Sequence, residues 1–514
     1  MRIRKFILTT ILMGCTQTMV FADGHNLLDG LQYKGEMQVS VSSGDHTPLW
    51  LNANKYGLSS LEKSNGYLRA SLERPQTVDS ARKWGISYGL DMAVAYNYTS
   101  TLIIQKAYGE VRWLKGALTV GAKEWPMEMK NPQLSTGSQT LGINARPVPQ
   151  VRLALQEYWT IPVLWRLFAI KGHVSYGMLT DGRWQHGFVG DNGKWTDKTL
   201  YHSKAVLFRV GKPQKFPLWA ELGIEAACTF GGTVHKNGSA EKMPEDLNSF
   251  AKALVFGKDN VDTGVYSNVA GNQLGSWVGR INYDHRLFQL GLYYDHFFDD
   301  HSQLGFFDYD GYGEGENWKV KETNKFHGYK LKDMMLGLEA KLKNFPYVNN
   351  IVLEYLYTKY QSGPFLHDHT SNIPDHIAGN DDYYNHYMYA AGWSHWGQVM
   401  GNPLYLSPIY SDDGTLYIGN NRFVAWHLGL SGQVTKALSY RALMTYQKGW
   451  GTDDHPYIPR RRDLSVLLEA TYSLPETFLD GGWAVKLGLG ADKGKIYGDN
   501  YGCQLTISKS GTIR

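Results

Sequence analysis

Through most of this chain apolar and polar residues alternate one by one. In KWGISYGLDMAVAYNYT, Trp84, Ile86, Tyr88, Leu90, Met92, Val94, Tyr96 and Tyr98 share one side, and Gly85, Ser87, Gly89, Asp91, Ala93, Ala95 and Asn97 the other. A period of two belongs to strands with unlike faces, because successive side chains point to opposite sides of a sheet. RLFAIKGHVSYGML repeats the pattern, with Phe168, Ile170, Val174, Tyr176 and Met178 against Ala169, Lys171, His173, Ser175 and Gly177. Comparable segments fall near 35–42, 66–73, 84–98, 102–113, 116–123, 149–156, 166–179, 203–211 and 218–229. A second series lies near 275–284, 286–298, 332–342, 350–358, 422–432, 437–447, 463–473, 482–491 and 500–508. The pattern predicts an all-β, antiparallel sheet of about 18 strands, an even number as closed bacterial barrels require.

The connections alternate as well. The turns near 74–83, 114–115, 157–165, 212–217, 285, 343–349, 433–436 and 474–481 are short. The intervening connections 43–65, 124–148, 180–202, 230–274, 299–331, 359–421 and 448–462 are longer, with 99–101 the exception. Short periplasmic turns opposite long external loops are the expected asymmetry of a transmembrane β-barrel. A soluble sandwich offers no reason for it.

Composition narrows the class further. The mean hydropathy of −0.37 resembles a soluble protein, yet 34 Tyr, 16 Trp and 56 Gly suit a barrel with aromatic girdles. Past the N-terminus no run of about 18 apolar residues exists to form a spanning helix. The first 22 residues have a positive start (MRIRKF), an apolar stretch (ILTTILMGCTQTMV) and small residues around Val20 and Ala22. These are the marks of a secretory signal, which leaves 23–514 as a single barrel domain. A cut before Cys15 with lipid attachment stays open as the other route. Removing Arg2, Arg4 and Lys5 leaves 52 − 3 = 49 basic against 48 acidic side chains. That balance gives no electrostatic reason to expect nucleic acid. By parity Cys228 and Cys503 both face lipid on distant strands, so no disulfide is expected.

One segment breaks the alternation. GINARPVPQVRLAL carries Pro147 and Pro149 directly ahead of an alternating Val151, Leu153 and Leu155. Proline donates nothing to a ladder and a closed barrel has no free edge, so Pro147 belongs to a loop and Pro149 at or before the first paired residue.

GINARPVPQVRL (142–153) and DDYYNHYMYAAGWSHWGQVMGNPL (381–404) together resemble the capsule assembly family of the Wzi type. NNRFVAWHLGLSG (420–432) and YRALMTYQKGWGT (440–452) are similar to that family's strand–turn–strand region. The resemblance implies an outer-membrane barrel of a Gram-negative bacterium, set among lipid and lipopolysaccharide. It implies a protein that holds capsular polysaccharide at the cell surface as a lectin does, with no cofactor, metal or catalysis. Some members carry a helical bundle, for which no segment here is long enough.

The longest loop, 359–421, is dense in sugar-binding residue types. Tyr383, Tyr384, Trp393 and Trp396 offer flat faces to pyranose C–H surfaces, while Asp381, Asp382, Asn385, His386 and His395 offer partners for hydroxyls. The same residues would also serve to pack the loop into the barrel mouth as a plug. Arg146 is expected at the mouth, bonded to inward-folded loops or to an acidic sugar. Arg152, Lys171, Glu221, Glu225, Asp295, Glu354 and Glu469 all fall on polar stripes. On the lipid face a midplane Arg or Lys costs about 2–4 kcal/mol, which places these residues in the lumen. A solvated or ion-paired interior satisfies them, and so does an ion-lined channel, which makes a porin-like diffusion channel the alternative function. A hydrolase is the second alternative, since His367, Asp368, His369, Asp375 and His376 would supply a base and its orienter, or metal ligands. No G-x-S-x-G nucleophile accompanies them, and DDGT (412–415) is too short for a calcium loop.

Overall fold

The computed structural model describes residues 28–513 except 256–257, 263–266, 270, 300–306, 310–312, 318–319, 321–322, 327–330 and 362–380. The signal segment 1–22 and the 367–376 His/Asp group lie outside the described residues. Eighteen strands make one sheet: β1 Gln32–Ser43, β2 Ser64–Arg74, β3 Trp84–Tyr96, β4 Leu102–Trp113, β5 Gly116–Ala122 and β6 Gln150–Thr160. The wall continues with β7 Phe168–Met178, β8 Leu200–Val210, β9 Leu218–Phe230, β10 Asn272–Asp284, β11 Phe288–Asp299 and β12 Met334–Leu342. It ends with β13 Asn350–Tyr357, β14 Phe423–Gln433, β15 Leu438–Gly451, β16 Pro456–Ser473, β17 Trp483–Gly494 and β18 Asn500–Thr512. Each strand pairs antiparallel with its sequence neighbours, and β1 pairs with β18 in the register Val39↔Leu505. The barrel is closed, and every segment expected from alternation is one of its strands.

The two faces have opposite chemistry. Along β3, Leu90 is 47% and Val94 60% exposed, while Asp91, Ala93 and Ala95 between them are buried. Leu68, Leu72, Leu118, Val120, Val151, Leu153, Leu468, Leu487 and Leu489 carry the same outward apolar band around the wall. Aromatic residues cap it: Trp84 and Trp113 lie 6.0 Å apart at the short-turn end, and Tyr96 and Tyr501 stand outward at the other. A closed barrel wearing an exposed apolar belt between aromatic rings is built for lipid, and this protein is an outer-membrane barrel. Among the described residues no helix is long and apolar enough to cross a membrane. Pro149 sits one residue before β6, and its carbonyl accepts the Met178 N–H at 3.2 Å, so the Pro-x-Pro stretch enters the strand as expected.

Three expectations need correction. The stripe of β3 ends at Tyr96: Asn97 has φ +58°, which turns Tyr98 inward against Tyr67 at 6.1 Å. The 448–462 connection is mostly strand, because β15 and β16 run on as a hairpin joined by only 452–455. Its charged, proline-bearing arm lacks a lipid-facing pattern because it stands above the barrel's paired wall; Ile458 there is 88% exposed. Together with 97–101 and 495–499, this makes three short external connections instead of one.

Cys503 faces outward and exposed, but Cys228 does not meet lipid. A helix, Leu247–Val255, lies over it on the outside of β8 and β9, burying Cys228 with Phe230 and Ala253. Asp246 caps this helix by accepting from Ser249 N at 2.8 Å, and outward-pointing Lys204 donates to its last carbonyls, Ala253 O at 2.8 Å and Leu254 O at 2.6 Å. A cation at a helix C-terminus is favourable, which is how a lysine is accommodated on this face.

Leu90 lies midway between Trp84 and Tyr96 on the lipid side. Leu90→Arg is expected to cost about 2–4 kcal/mol, read as a lower urea midpoint for the barrel folded in lipid vesicles.

Candidate functional site

The lumen is crossed by its own loops. Residues 123–149 fold inward and are tied to the arc of wall formed by β10–β14. Lys130 pairs with Asp295 of β11 at 2.8 Å, and Gln139 N donates to the same carboxylate at 3.1 Å. Two strands along, Glu354 of β13 accepts from Ser135 Oγ at 2.5 Å, Thr136 N at 2.8 Å, Thr136 Oγ1 at 2.7 Å and Tyr293 Oη at 2.5 Å. The His427 Nε2–H donates to Leu134 O at 2.7 Å, and Arg280 Nη1 donates to Met129 O at 2.7 Å. Glu354, with both oxygens bonded, holds the loop firmly, because each lost donor would be left unpaired away from water.

A second layer, 381–421, rests on the first. Trp393 Nε1 donates to Thr140 O at 2.9 Å, Tyr384 Oη to Gln139 O, and Asn402 Nδ2 to Thr136 Oγ1 at 3.0 Å and Gly137 O at 2.9 Å. Tyr383 Oη donates to Asp333 at 2.7 Å. Tyr383, Tyr384 and Trp393 are fully buried and His395 nearly so, packed with Phe297, Tyr405 and Phe423. Their ring faces meet protein and not solvent. The expectation that they present faces to sugar is therefore corrected: they are the core of a plug, because the loop turns its largest rings toward the apolar interior it creates. His395 is a staple, donating from Nδ1 to Arg146 O at 2.9 Å and accepting the Thr180 N–H on Nε2 at 3.1 Å. The GWSHWG turn shows how tightly this layer is fixed. Trp396 and Gly397 both have positive φ, +55° and +76°, and a Cβ on Gly397 would lie 2.4 Å from the Trp184 ring.

Arg146 stands where the mouth was expected. Its guanidinium lies 4.2 Å over the half-buried Trp396 ring and donates to Thr99 Oγ1 at 2.6 Å. It is thus bonded to inward-folded loops, the first of its two expected roles. The polar stripes point into the lumen as parity requires. Arg152 lies 4.1 Å over Trp125, Lys171 pairs with Glu128 at 2.8 Å, and Glu221 is in register with Arg209 and Arg280. Glu225 and Asp295 are buried on the inner wall around Lys130.

What remains open outward is a cleft of about 620 Å³ at the external mouth. Its walls come from four segments of three loops: Val189–Lys194, Asp381–Ala390, Gly414–Tyr417 and Thr452–His455. Tyr387, 63% exposed, stacks at 4.8 Å on His386, and Tyr417 lies 5.5 Å from the exposed His455. Lys194 Nζ donates to Tyr387 O, fixing that tyrosine's backbone. His386 Nδ1 accepts from Met388 N at 3.1 Å and Tyr389 N at 3.4 Å, so the neutral ring carries its proton on Nε2. Burial, helped by Lys194, pushes its pKa down to about 4. Asn385 Nδ2 donates to Asp382 at 3.0 Å, and burial raises that carboxyl above its usual range. The lining carries four carboxylates, Asp299, Asp381, Asp382 and Asp454, against the ammonium of Lys194. Among the described residues no group of His, Cys, Asp and Glu is arranged to hold a metal ion.

Of the residues anticipated from sequence, Asp381, Asp382, Asn385 and His386 line this cleft. Tyr383, Tyr384, Trp393 and His395 do not. Lys194, Asp454 and His455 were missed, since they come from other loops that only the fold brings together, and Tyr417 because it lies some thirty residues along the same loop from the aromatic run. Tyr387 lay within the quoted YYNHY run, but nothing local distinguishes its outward ring from two buried ones.

No family model and no curated protein matches the chain by sequence. By structure it is similar to Wzi of Escherichia coli, an outer-membrane protein involved in group 1 capsule assembly and described as a carbohydrate-binding β-barrel. The TM-score is 0.53 at 14% identity, covering 93% of this chain and 85% of that one. It also matches OccK5 (OpdH) of Pseudomonas aeruginosa, with TM-score 0.46 and 9% identity over 95% of this chain and all of the other. Likeness at these identities is likeness of fold.

Two outcomes are expected of the plug. Lys130→Met leaves Asp295 and Glu225 without their cation, at a cost of about 3–5 kcal/mol, and should expose 123–149 to protease on intact cells. His386 binds its proton less readily folded (about 4) than unfolded (6.5), so its contribution is present above pH 6.5 and is lost as pH falls toward 4. On the order of 3 kcal/mol is at stake, and His395, also shifted down by burial, acts in the same direction. Hydrogen exchange in 381–421 should accelerate across that window and stay flat from pH 7 to 8.

Proposed function

We propose that this protein binds a capsular or related surface polysaccharide at its external mouth and helps anchor or assemble that polymer at the cell surface, without catalysis. The observation that carries the reading is the outward cleft. An exposed tyrosine, Tyr387, and half-buried Tyr417 flank a floor of Asp381, Asp382, Asn385 and neutral His386. Aromatic faces with a few fixed polar groups suit the alternating C–H and hydroxyl surfaces of a pyranose chain. The carboxylates accept hydroxyl hydrogen bonds and repel other anions, so the cleft favours neutral or amine-bearing sugars over uronic acids. His386 is poorly placed for general-base work, because its Nδ1 already takes two backbone N–H groups.

The fold itself bears on the reading. Loops that could narrow a channel are here bonded to β10–β14, to Lys171 of β7 and to each other, which suits a rigid platform for a polymer. A diffusion channel is the second reading, favoured by the charged inner wall and by the chamber of about 860 Å³ beneath the plug. Planar-bilayer recording separates the two: silence is expected of the platform, and a steady current would turn the assignment to a channel.

Replacing both Tyr387 and Tyr417 by Ala should weaken binding of the producing strain's polysaccharide about tenfold, as the loss of roughly 1.4 kcal/mol of ring contact requires. Capsule shed into the medium should rise in parallel. Unchanged affinity and retention, with the barrel still folded, would remove the cleft from the function.

A further inference from the structure

The periplasmic side of the plug holds a second chamber, and its charges do not balance. The chamber has a volume of about 860 Å³ and is walled by the short-turn ends of β1, β2 and β14–β18. Above, it is roofed by Asn54–Tyr56, Leu58, Glu124, Pro132, Gln133 and Ile143 of the in-folded loops. On one side the ions are paired. Lys34 meets Glu36 at 2.6 Å, and Arg69 meets Asp91 at 2.7 Å and Glu124 at 3.3 Å.

On the other side three basic side chains gather around one carboxylate. Arg441 Nη2 lies 3.3 Å and Lys486 Nζ 3.6 Å from Glu469. Lys55 reaches down from the roof with a neutral acceptor, Gln504 Oε1, at 2.5 Å. Arg441 donates once more, to Gln133 O at 3.0 Å, and its buried Nε has no hydrogen-bond partner. Burial and neighbouring Lys486 lower the pKa of Lys55 to about 7, so at neutral pH it is partly charged and the group carries a net charge between +1 and +2, with donors unspent. Arginine's fork and two ammonium groups around one space are the usual means of gripping an oxyanion. A carboxylate or phosphate there would restore neutrality and take up the remaining Nη and Nζ donors.

We infer that the Lys55–Arg441–Lys486 group is a periplasm-facing binding site for an oxyanion, the phosphate or carboxylate of a small solute or of a sugar acid. It is independent of the external cleft, which carries the opposite charge, so either site can fail without the other.

The full-length protein in detergent at low ionic strength, titrated calorimetrically with inorganic phosphate and separately with a galacturonate disaccharide, tests the inference. Saturable binding of at least one probe is expected, weakened about tenfold or more by Arg441→Gln and by Lys55→Gln and unchanged by Tyr387→Ala. Phosphate binding alone assigns the site to phosphoryl groups, and preference for the disaccharide assigns it to sugar acids. Heat-modifiable migration on gels verifies that each variant is folded. Absence of saturable binding of both probes, or equal binding by wild type and both folded variants, overturns the site.

Discussion

The pairing of β1 with β18 is the constraint on which everything else rests. A hydrocarbon core offers no partner to a backbone N–H or C=O, so a sheet that crosses it must have no edge. Twelve consecutive residue pairs, from Gln32↔Thr512 to Ser43↔Tyr501, close this one. Closure assigns each side chain of the wall to its outer or its inner face. Asp91 can then be buried beside Arg69 while its neighbours Leu90 and Met92 face outward. The same rule sends Glu354, Asp295 and Glu225 inward, where they become anchors for the loops.

A lumen lined by charged groups has two stable outcomes, water or protein, and this chain takes the second. The in-folded loops bring backbone N–H groups and a lysine to carboxylates that lipid has forced inward. Glu354 alone collects four donors. A buried carboxylate stabilises only when its lone pairs are satisfied, and for Glu354 the loop supplies three of those four donors. Polar walls and folded loops thus depend on each other. With the first layer fixed, the second finds an apolar and hydrogen-bonding floor on which Tyr384 and Trp393 can settle.

The wall was legible in the sequence because lipid imposes a period of two that no other signal obscures. All eighteen strands, Pro149 at the gate of β6 and the inward Arg152 and Lys171 follow from that period alone. It fails wherever the outer environment changes. Lys204 and Cys228 lie outside the barrel but under a helix, so parity places them correctly and misjudges what covers them. The β15–β16 arm stands beyond the paired wall, where Pro456 and Arg460–Arg462 are acceptable in a strand and alternation has no reason to persist. Loops have no comparable rule. Tyr383, Tyr384 and Tyr387 lie within five residues, and two are core while one is surface, a division set by Gln139, Asp333 and Phe297 from distant parts of the chain.

That division changes what an aromatic-rich loop signifies. The motif that stands out in the sequence, GWSHWG with its GNPL, is devoted to holding the plug. Gly397 is pressed on Trp184, a Cβ on Gly401 would lie 2.0 Å from Tyr384 Oη, and Asn402 is bonded across to Thr136 and Gly137. Residues under this much geometric demand have little freedom to adapt to a ligand. The cleft residues above them, Tyr387, Tyr417, Asp454 and His455, are held mainly by backbone position, and their side chains can vary without disturbing the platform. A family sharing the plug could therefore keep its motifs while changing its sugar. Similarity in the conspicuous stretches would then report how the mouth is closed, and specificity would reside in the inconspicuous residues around it.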